Sequence, residues 1–311
     1  MKMVFSNMRC FTMLESCRLC PRSCGVDRTQ GGTGWCRAPL KPKVARAALH
    51  FWEEPCLSGD GGSGAVFFAH CNLKCVYCQN YQISQDHSGT EVDIPNLASI
   101  FLDLERQGAH NINLVSPTPY IPQVAEAIKS ARSQGLKVPL VYNSNGYDEV
   151  AALTMLEGLI DIYLPDLKYT NTTNAREFSG ASDYFPAATK AILEMYRQVG
   201  SPHMDQSGLM KKGLLIRHLM LPGQLDDTLQ VLQWIAENLP REVGVSLMAQ
   251  YFPTYQASEL PPLNRRLTRR EYDKAVNALL DLDLETGYVQ ELSAADECFV
   301  PAFDGSGITK K

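Results

Sequence analysis

Three closely spaced cysteines are the residues of this 311-residue chain best suited to chemistry. Cys71, Cys75 and Cys78 follow the apolar run 65–69, at spacings of four and three residues. A [4Fe-4S] cluster normally takes four cysteines, so three would leave one iron open to a substrate or cofactor. Zinc bound by three thiolates and a water is an alternative, and a distant Cys or His could complete a structural zinc site.

A second group of cysteines lies nearer the N-terminus, in a segment rich in Gly, Arg and Pro. It comprises Cys17, Cys20, Cys24 and Cys36, without the two close pairs of an ordinary zinc ribbon. Four thiolates suit zinc or an iron–sulfur cluster, and their spacing does not choose between them. We predict a second metal site here, with a metal-free cap over the rest of the protein as the alternative.

The elements that position these residues alternate from about residue 64 onward. Strand-like runs occur at 65–69, 111–115, 138–142, 160–164, 214–220 and 243–248. Helical spacing occurs at 97–104, 124–133, 149–156, 227–238 and 269–282, and a longer helical stretch runs to Gly200. The alternation predicts an α/β fold with a parallel sheet, either doubly wound or closed into a barrel. In both, chemistry occurs at the C-terminal ends of the strands.

Polar side chains follow four of the later strands. They are Ser116 and Thr118, then Asn143, Ser144 and Asn145, then Asp166 and Lys168, and finally Arg217. Asp166 and Lys168 are two residues apart and so share one face of an extended segment. Arg217 and His218 are adjacent, so only one of them can point into a barrel. A proline-stiffened loop, an Asn-Gly turn and a surface ion pair are the structural alternatives for the first three groups.

Composition excludes several classes of protein. Hydrophobic residues make up 45% and charged residues 20%, as in an ordinary globular enzyme. The net charge of −5 argues against a general nucleic-acid binder. The apolar runs are too short for a membrane-spanning helix, and the N-terminal residues lack the features of a signal peptide. We therefore expect a cytoplasmic protein, in which seven of the ten cysteines form two metal or redox sites rather than disulfides, and Cys10, Cys56 and Cys298 stand apart.

The Cys-x3-Cys-x-aromatic-Cys pattern resembles that of the radical S-adenosylmethionine (SAM) superfamily. The flanking sequence is similar to the pyruvate formate-lyase activating enzyme-like subfamily with an N-terminal cysteine segment. The segments that carry this likeness are Gly61-Gly62-Ser63-Gly64, Phe67-Phe68 and Cys78-Gln79-Asn80-Tyr81-Gln82-Ile83-Ser84. The resemblance implies a partial (βα)6 TIM-like barrel over 61–292. We place a small cysteine-rich segment at 1–60 and a C-terminal tail at 293–311.

The resemblance also implies site residues. In the superfamily, three such cysteines hold a [4Fe-4S] cluster whose open iron binds SAM. Tyr77 corresponds to the aromatic residue beside the adenine, and Ser116 and Thr118 occupy the place of a Gly-Gly-Glu-Pro stretch that meets the SAM amino group. The remaining cofactor candidates are Asn143, Ser144 and Asn145, in place of Asp-Thr-Asn, Asp166 and Lys168, which match Asp-Leu-Lys, and Arg217. Tyr251 lies near the position of a SAM-contacting histidine in a relative.

Three functions remain open at this point. The resemblance implies reductive cleavage of SAM to a 5′-deoxyadenosyl radical that abstracts hydrogen, with flavodoxin or ferredoxin as electron donor. One subclass would activate a glycyl radical enzyme, a protein substrate, whereas the other would act on a small molecule or another macromolecule. From a different class, a non-catalytic zinc-binding or redox-sensing protein would use both cysteine groups structurally.

Overall fold

A largely parallel sheet organises the chain. The computed structural model describes residues 8–296 and 300–308. Within these residues the strands are β1 (Lys43–His50), β2 (Ser63–Phe68), β3 (Thr90–Glu91), β4 (Ile112–Val115), β5 (Leu140–Ser144), β6 (Ile162–Pro165), β7 (His203–Met204), β8 (Met210–Leu219), β9 (Gly244–Met248) and β10 (Thr286–Val289). Their order is β10-β9-β8-β6-β5-β4-β2-β1-β3, with β7 paired to β8.

The pairing explains the shape of this sheet. Every neighbouring pair from β2 through β4, β5, β6, β8 and β9 to β10 is parallel. The pairs of β1 with β2 and with β3 are antiparallel. Since β10 and β3 are the two ends of the order, the sheet is open rather than closed into a complete barrel.

Two helices precede the parallel strands, and the others follow or connect them. They are α1 (Met8–Glu15), α2 (Pro55–Ser58), α3 (Tyr81–Ser84), α4 (Ile94–Arg106), α5 (Ile121–Ser133), α6 (Val150–Leu153), α7 (Thr172–Ser179), α8 (Tyr184–Val199), α9 (Leu225–Asn238) and α10 (Arg269–Asp281). Apolar side chains from α4, α5, α8 and α9 pack with those of the strands in one large core.

Side-chain caps fix where α4, α7 and α10 begin. The Asp93 side chain accepts from the backbone of Asn96 and caps α4, and Thr268 with Glu271 forms a capping box at α10. Asn171 caps α7 through two backbone N–H groups, and Gly180 ends it in the left-handed conformation. The helix α7 matters to the site because its last residue is Ser179.

A C-terminal segment, residues 300–308, packs along β1, and we call it the strap. Gly305 N donates to the Ala45 carbonyl at 3.0 Å, and Ala47 N donates to the Ser306 carbonyl at 2.8 Å. Arg46 forms an ion pair of 3.0 Å with Asp304, and the ring of Phe303 packs edge-on against Phe67. The strap thus lies against the β1 and β2 side of the open barrel.

The predicted fold class is confirmed as an α/β partial TIM-like barrel with N-terminal cysteines. All six predicted strands exist, with bounds shifted by a few residues. The sequence did not reveal β1, which lies within the predicted 1–60 segment yet pairs with the barrel strand β2. Part of the 293–311 tail lies outside the described residues, as does Cys298. Among the described helices, none has the length and apolar character needed to cross a membrane.

Candidate functional site

A cavity of about 610 Å³ opens at the C-terminal ends of the parallel strands. Its lining includes Cys71, Cys75 and Cys78, from the loop between β2 and α3. The same lining contains most of the predicted cofactor residues: Tyr77, Ser116, Asn143, Ser144, Asn145, Asp166, Lys168 and Arg217. The structure therefore brings side chains from five strand ends together at one place.

Each of the three cysteine sulfurs has a polar side chain beside it. Asn145 Nδ2 donates to Cys71 Sγ at 3.2 Å. The Cys75 sulfur lies 3.0 Å from Ser179 Oγ, and the Cys78 sulfur lies 3.3 Å from Ser84 Oγ. All three cysteines are free thiols. These contacts fix the sulfur positions from three different segments of the chain.

Burial governs the protonation of these thiols. It raises the pKa of Cys71 far above its usual range, and neighbouring Cys75 raises it further. Burial likewise raises the pKa of Cys75, although the Lys168 ammonium opposes the shift, and it raises the pKa of Cys78 to about 11. A metal must therefore displace protons when it binds these sulfurs.

The loop after β5 places the side-chain amide of Asn145 at the cavity, and Gly146 makes this path of the loop possible. Gly146 has a φ of +77°, and a Cβ there would collide with the backbone carbonyl of Asp166. Glycine lets the loop lie directly against the end of β6. Asn145 is then oriented by its own backbone contact, since its Oδ1 accepts from Tyr147 N at 2.9 Å. Ser116 N is tied to the Asn143 carbonyl at 2.8 Å, on the neighbouring strand end.

Asp166, Lys168 and Arg217 form a buried charge network. Lys168 Nζ lies 2.6 Å from Asp166 Oδ2, and Arg217 Nε donates to Asp166 Oδ1 at 3.0 Å. Burial alone would raise the pKa of Asp166, but the two cations outweigh it and lower that pKa. Burial would lower the pKa of Lys168, but Asp166 outweighs it and raises that pKa. Both groups are therefore charged at neutral pH.

Tyr77 belongs to a chain of hydroxyl contacts that ends at a cysteine. Its hydroxyl contacts the hydroxyl of Tyr169, which lies 2.8 Å from Ser179 Oγ. Ser179 in turn contacts the Cys75 sulfur. The Tyr77 ring also packs edge-on against Tyr251. This chain holds the aromatic wall of the cavity rigidly beside the cysteines.

Three residues singled out from the sequence lie outside the cavity lining. Thr118 is buried, and its hydroxyl donates to Asp148 Oδ1 at 2.7 Å. Tyr251 is buried and donates to the Leu263 carbonyl at 2.5 Å. His218 points away from the cavity, with ring nitrogens 2.7 Å from the Leu167 carbonyl and 3.0 Å from Thr228 Oγ1. Of the adjacent pair in β8, Arg217 is the residue that faces inward.

The sequence did not single out several residues that the structure places at the site. Glu53 and Glu54 line the cavity together with Trp52. Arg217 Nη1 lies 3.5 Å from Glu53 Oε2. Two consecutive glutamates directly before Pro55 were the available signal, but only the insertion of α2 into the barrel reveals their role. Ser179 had no such signal, since it lies 104 residues from Cys75.

The N-terminal cysteines lie in a segment of tight turns. Cys17 N donates to the Val26 carbonyl at 2.9 Å, and Trp35 N donates to Cys24 Sγ at 3.3 Å. Burial raises the pKa of Cys20 to about 12, against an opposing contact with Asn72. In the described part of the chain, no group of three or more His, Cys, Asp or Glu side chains is placed to hold a single metal ion. Metal at the N-terminal four cysteines stays a prediction.

The barrel cysteines fit a cluster better than an ion. A four-iron cluster is larger than one metal ion, so its three sulfur ligands need not converge on a single point. The cavity has room for a cluster and a small cofactor, within the usual range of about 300–1,000 Å³ for ligand sites. The free thiols can bind the irons of such a cluster. The neutral amides and the Lys168 ammonium can donate hydrogen bonds to an anionic group of a cofactor.

A family model for the radical SAM superfamily matches residues 66–235, more than half of the chain. The chain belongs to the radical SAM superfamily. The matched region begins in β2 and includes all three barrel cysteines, so the superfamily resemblance seen in the sequence is confirmed. The finer subfamily with an N-terminal cysteine segment stays a prediction.

Individual relatives give further comparisons. An uncharacterized protein of Methanocaldococcus jannaschii is 32% identical over 287 residues, which are 89% of this chain and 78% of the relative. The solved structure of native anSMEcpe with bound AdoMet is 14% identical, with a TM-score of 0.49, over 70% of this chain and 61% of that one. A domain of pyruvate-formate lyase-activating enzyme from Bacteroides vulgatus is 13% identical, with a TM-score of 0.42, over 59% of this chain and all of that domain.

Proposed function

We propose that this protein is a radical SAM enzyme whose open [4Fe-4S] cluster is held by Cys71, Cys75 and Cys78. The observation that carries the proposal is the convergence of three free thiols and a buried ammonium on one cavity at the strand ends. When bound, the cluster and SAM supply reductive cleavage of the sulfonium and a 5′-deoxyadenosyl radical for hydrogen abstraction. Membership of the superfamily supports this chemistry.

The residues of this chain have separate roles in that proposal. Lys168 offers a positive charge to an anionic group such as a carboxylate, and Asp166 holds Lys168 in place at 2.6 Å. Asn143, Ser144 and Asn145 offer neutral hydrogen-bonding groups at the adjacent strand end, with Ser116 beside them. Tyr77 supplies an apolar wall for a flat ring, and the strap limits the access of water from the open side of the barrel.

The proposal is tested by reconstituting the chain with iron and sulfide without oxygen. The protein should turn brown, and reduction in the presence of SAM should yield 5′-deoxyadenosine and methionine. A colourless protein that binds only zinc would favour the non-catalytic hypothesis and overturn the proposal. Flavodoxin or ferredoxin should replace the chemical reductant, as expected for a physiological electron donor.

The role of Lys168 has its own test. Replacing Lys168 with Met should raise the KM for SAM at least about tenfold, because a charge-assisted contact of about 1.5–3 kcal/mol is lost. The matched control is Lys190→Met, since Lys190 is exposed on α8. An unchanged KM in Lys168→Met would remove Lys168 from the proposed SAM site.

An activase of a glycyl radical enzyme is the second candidate. Phe51 and Trp52 favour it, because they are 50% and 63% exposed and Trp52 borders the cavity. Exposed aromatic residues beside an active site suit the docking of a protein loop. A glycyl-radical signal in electron paramagnetic resonance, seen only when a glycyl radical enzyme is added, would support this candidate. SAM cleavage without that signal would leave the substrate as a small molecule or another macromolecule.

A further inference from the structure

The closed end of the cavity carries polar groups that the SAM chemistry does not use. The chain after β1 turns inward and places Glu53 and Glu54 there, directly before α2. Cys56 and Leu57 of α2 pack with residues of β5, β6 and β8 in a separate apolar cluster: Val141, Ile162, Leu164, Met210 and Leu215. This apolar cluster forms a floor, and the two glutamates precede the helix that contributes to it.

Carboxyl groups outnumber cationic groups at this closed end. Three carboxylates, those of Glu53, Glu54 and Asp166, meet two cations. Asp166 pairs with Lys168 and Arg217, and Arg217 also reaches Glu53. Glu54 is the carboxylate without an ion pair of its own. It is only 7% exposed, and its Oε2 has no hydrogen-bond partner among the described residues.

Two neutral side chains beside the glutamates also lack partners. Both polar atoms of the Asn113 side chain and the Ser246 hydroxyl are buried, without a hydrogen bond in the described structure. Asn113 lies two residues before Val115 in β4, and Val115 lines the cavity. Ser246 is the register partner of Arg217, which also lines it. Both side chains therefore point to the inside of the barrel.

Burial governs the protonation of both glutamates. Burial raises the pKa of Glu53 and of Glu54, more than the attraction of Arg217 lowers it. Asn113 approaches Glu53, and Ser246 approaches Glu54, closely enough to oppose these shifts, although neither contact reaches the geometry of a hydrogen bond. Buried polar groups without partners are rare in folded proteins and call for a ligand or water.

We propose that Glu53, Glu54, Asn113 and Ser246 form a subsite, here called the acidic subsite, that binds the primary ammonium group of a small organic substrate. The inference rests on the proposed function, since the cavity would present this group to the SAM chemistry. An ammonium group favours the ionised form of both glutamates and donates three hydrogen bonds, which suits two carboxylates and neutral oxygens. Ordered water would satisfy Asn113 and Ser246 but would supply no positive charge to the two buried glutamates.

The size of the cavity favours a small substrate over a protein loop. A cofactor of the size of SAM needs about 300 Å³ or more. Roughly half of the 610 Å³ therefore remains for the substrate and the cluster. The floor formed by α2 bounds the far side of the space that remains.

The test uses the reconstituted full-length chain saturated with SAM. Binding of n-butylamine is measured by calorimetry or ligand-observed NMR, with n-butanol as the neutral probe of similar shape. We expect the amine to bind at least tenfold more tightly than the alcohol. Glu54→Gln should weaken amine binding at least tenfold, whereas Glu242→Gln, at an exposed position, should leave it unchanged.

Stability without ligand gives a second measurement that does not depend on turnover. Glu54→Gln should raise the melting temperature by a few degrees at neutral pH in the absence of amine. Burial raises the pKa of Glu54, so its ionisation opposes folding, and glutamine removes that cost. Ser246→Ala should keep the melting temperature and weaken amine binding a few-fold, because its hydroxyl has no partner to lose. A structural role for either residue predicts a lower melting temperature and would overturn the proposal.

The remaining outcomes separate this inference from the proposed function. Equal binding of amine and alcohol, or competition between amine and SAM, would overturn the acidic subsite even if SAM is cleaved. Glu54-dependent amine binding in a protein that yields no 5′-deoxyadenosine would support the subsite and overturn the proposed function. A glycyl-radical signal on a protein partner, together with no amine binding, would favour the activase.

Discussion

The two groups of cysteines are held in different ways. Contacts to the Cys71 and Cys75 sulfurs come from Asn145 and Ser179, which are 74 and 104 residues away in the sequence. Around Cys17 and Cys24 the described contacts are turns within the same short segment. The barrel thiols are therefore positioned by the tertiary fold, whereas Cys17 and Cys24 are positioned by local turns. Preorganisation of this kind suits a reactive centre, and local turns suit a structural one.

The largest expected difference between the two groups concerns SAM cleavage. Cys75→Ala should lower it by at least about a thousandfold, because the cluster loses one of three ligands. Cys24→Ala should leave it within about twofold, since Cys24 is exposed and outside the cavity. The measurement is 5′-deoxyadenosine formed without oxygen. Cleavage retained in Cys75→Ala would remove that residue from the ligand set.

The metal content of the protein tests whether the N-terminal cysteines bind a second metal. Replacing all four N-terminal cysteines with serine should leave about four iron ions per chain, the content of one [4Fe-4S] cluster. The wild type should contain additional iron or zinc, and the variant should melt several degrees lower because metal binding contributes to folding. Elemental analysis and thermal unfolding measure both. Equal metal content in wild type and variant would contradict a second metal site.

Asn72 lies between the two cysteine groups, so replacing it tests whether the two groups are independent of each other. Its side chain accepts from Asn145 Nδ2 at 2.8 Å and donates to the Tyr147 carbonyl, and the Cys20 thiol lies beside it. Asn72→Ala leaves buried groups unpaired and should lower the free energy of unfolding by about 1–3 kcal/mol. It should also speed cluster loss, measured by the decay of the visible absorbance. Asn96→Ala, at an exposed position of α4, is the control.

The smallest expected effect concerns the reduction potential of the cluster. Hydrogen bonds to cluster sulfurs favour the reduced state, so Ser179→Ala should lower the potential by tens of millivolts, against 59 mV for a tenfold change. Ser84→Ala should give a smaller shift, because its oxygen lies 3.3 Å from Cys78, compared with 3.0 Å for Ser179 and Cys75. Redox titration followed by electron paramagnetic resonance measures both. Identical potentials in all three proteins would show that these contacts do not act on the cluster.

The sequence predicted the elements whose signal is local. The parallel strands are buried apolar runs, and Asp166 and Lys168 stand directly after one of them. The sequence did not predict β1, because Lys43 and Arg46 interrupt its apolar pattern. It did not predict β10, because this strand is short and half exposed. The sequence also did not single out Glu53, Glu54 and Ser179 as site residues, because only tertiary packing brings them to the site.

The strap has a consequence for the order in which the site is assembled. It follows every barrel strand in the chain, yet it pairs with β1, which precedes all the parallel strands. During synthesis the cavity therefore remains open on this side until the strap has emerged, and we expect metal loading to be complete only after that. Gly307 lies where a Cβ would collide with the Ala47 carbonyl. Gly307→Ala should therefore displace the strap from β1 and leave this side of the cavity open. Faster hydrogen exchange in β1 than in the wild type would reveal the displacement.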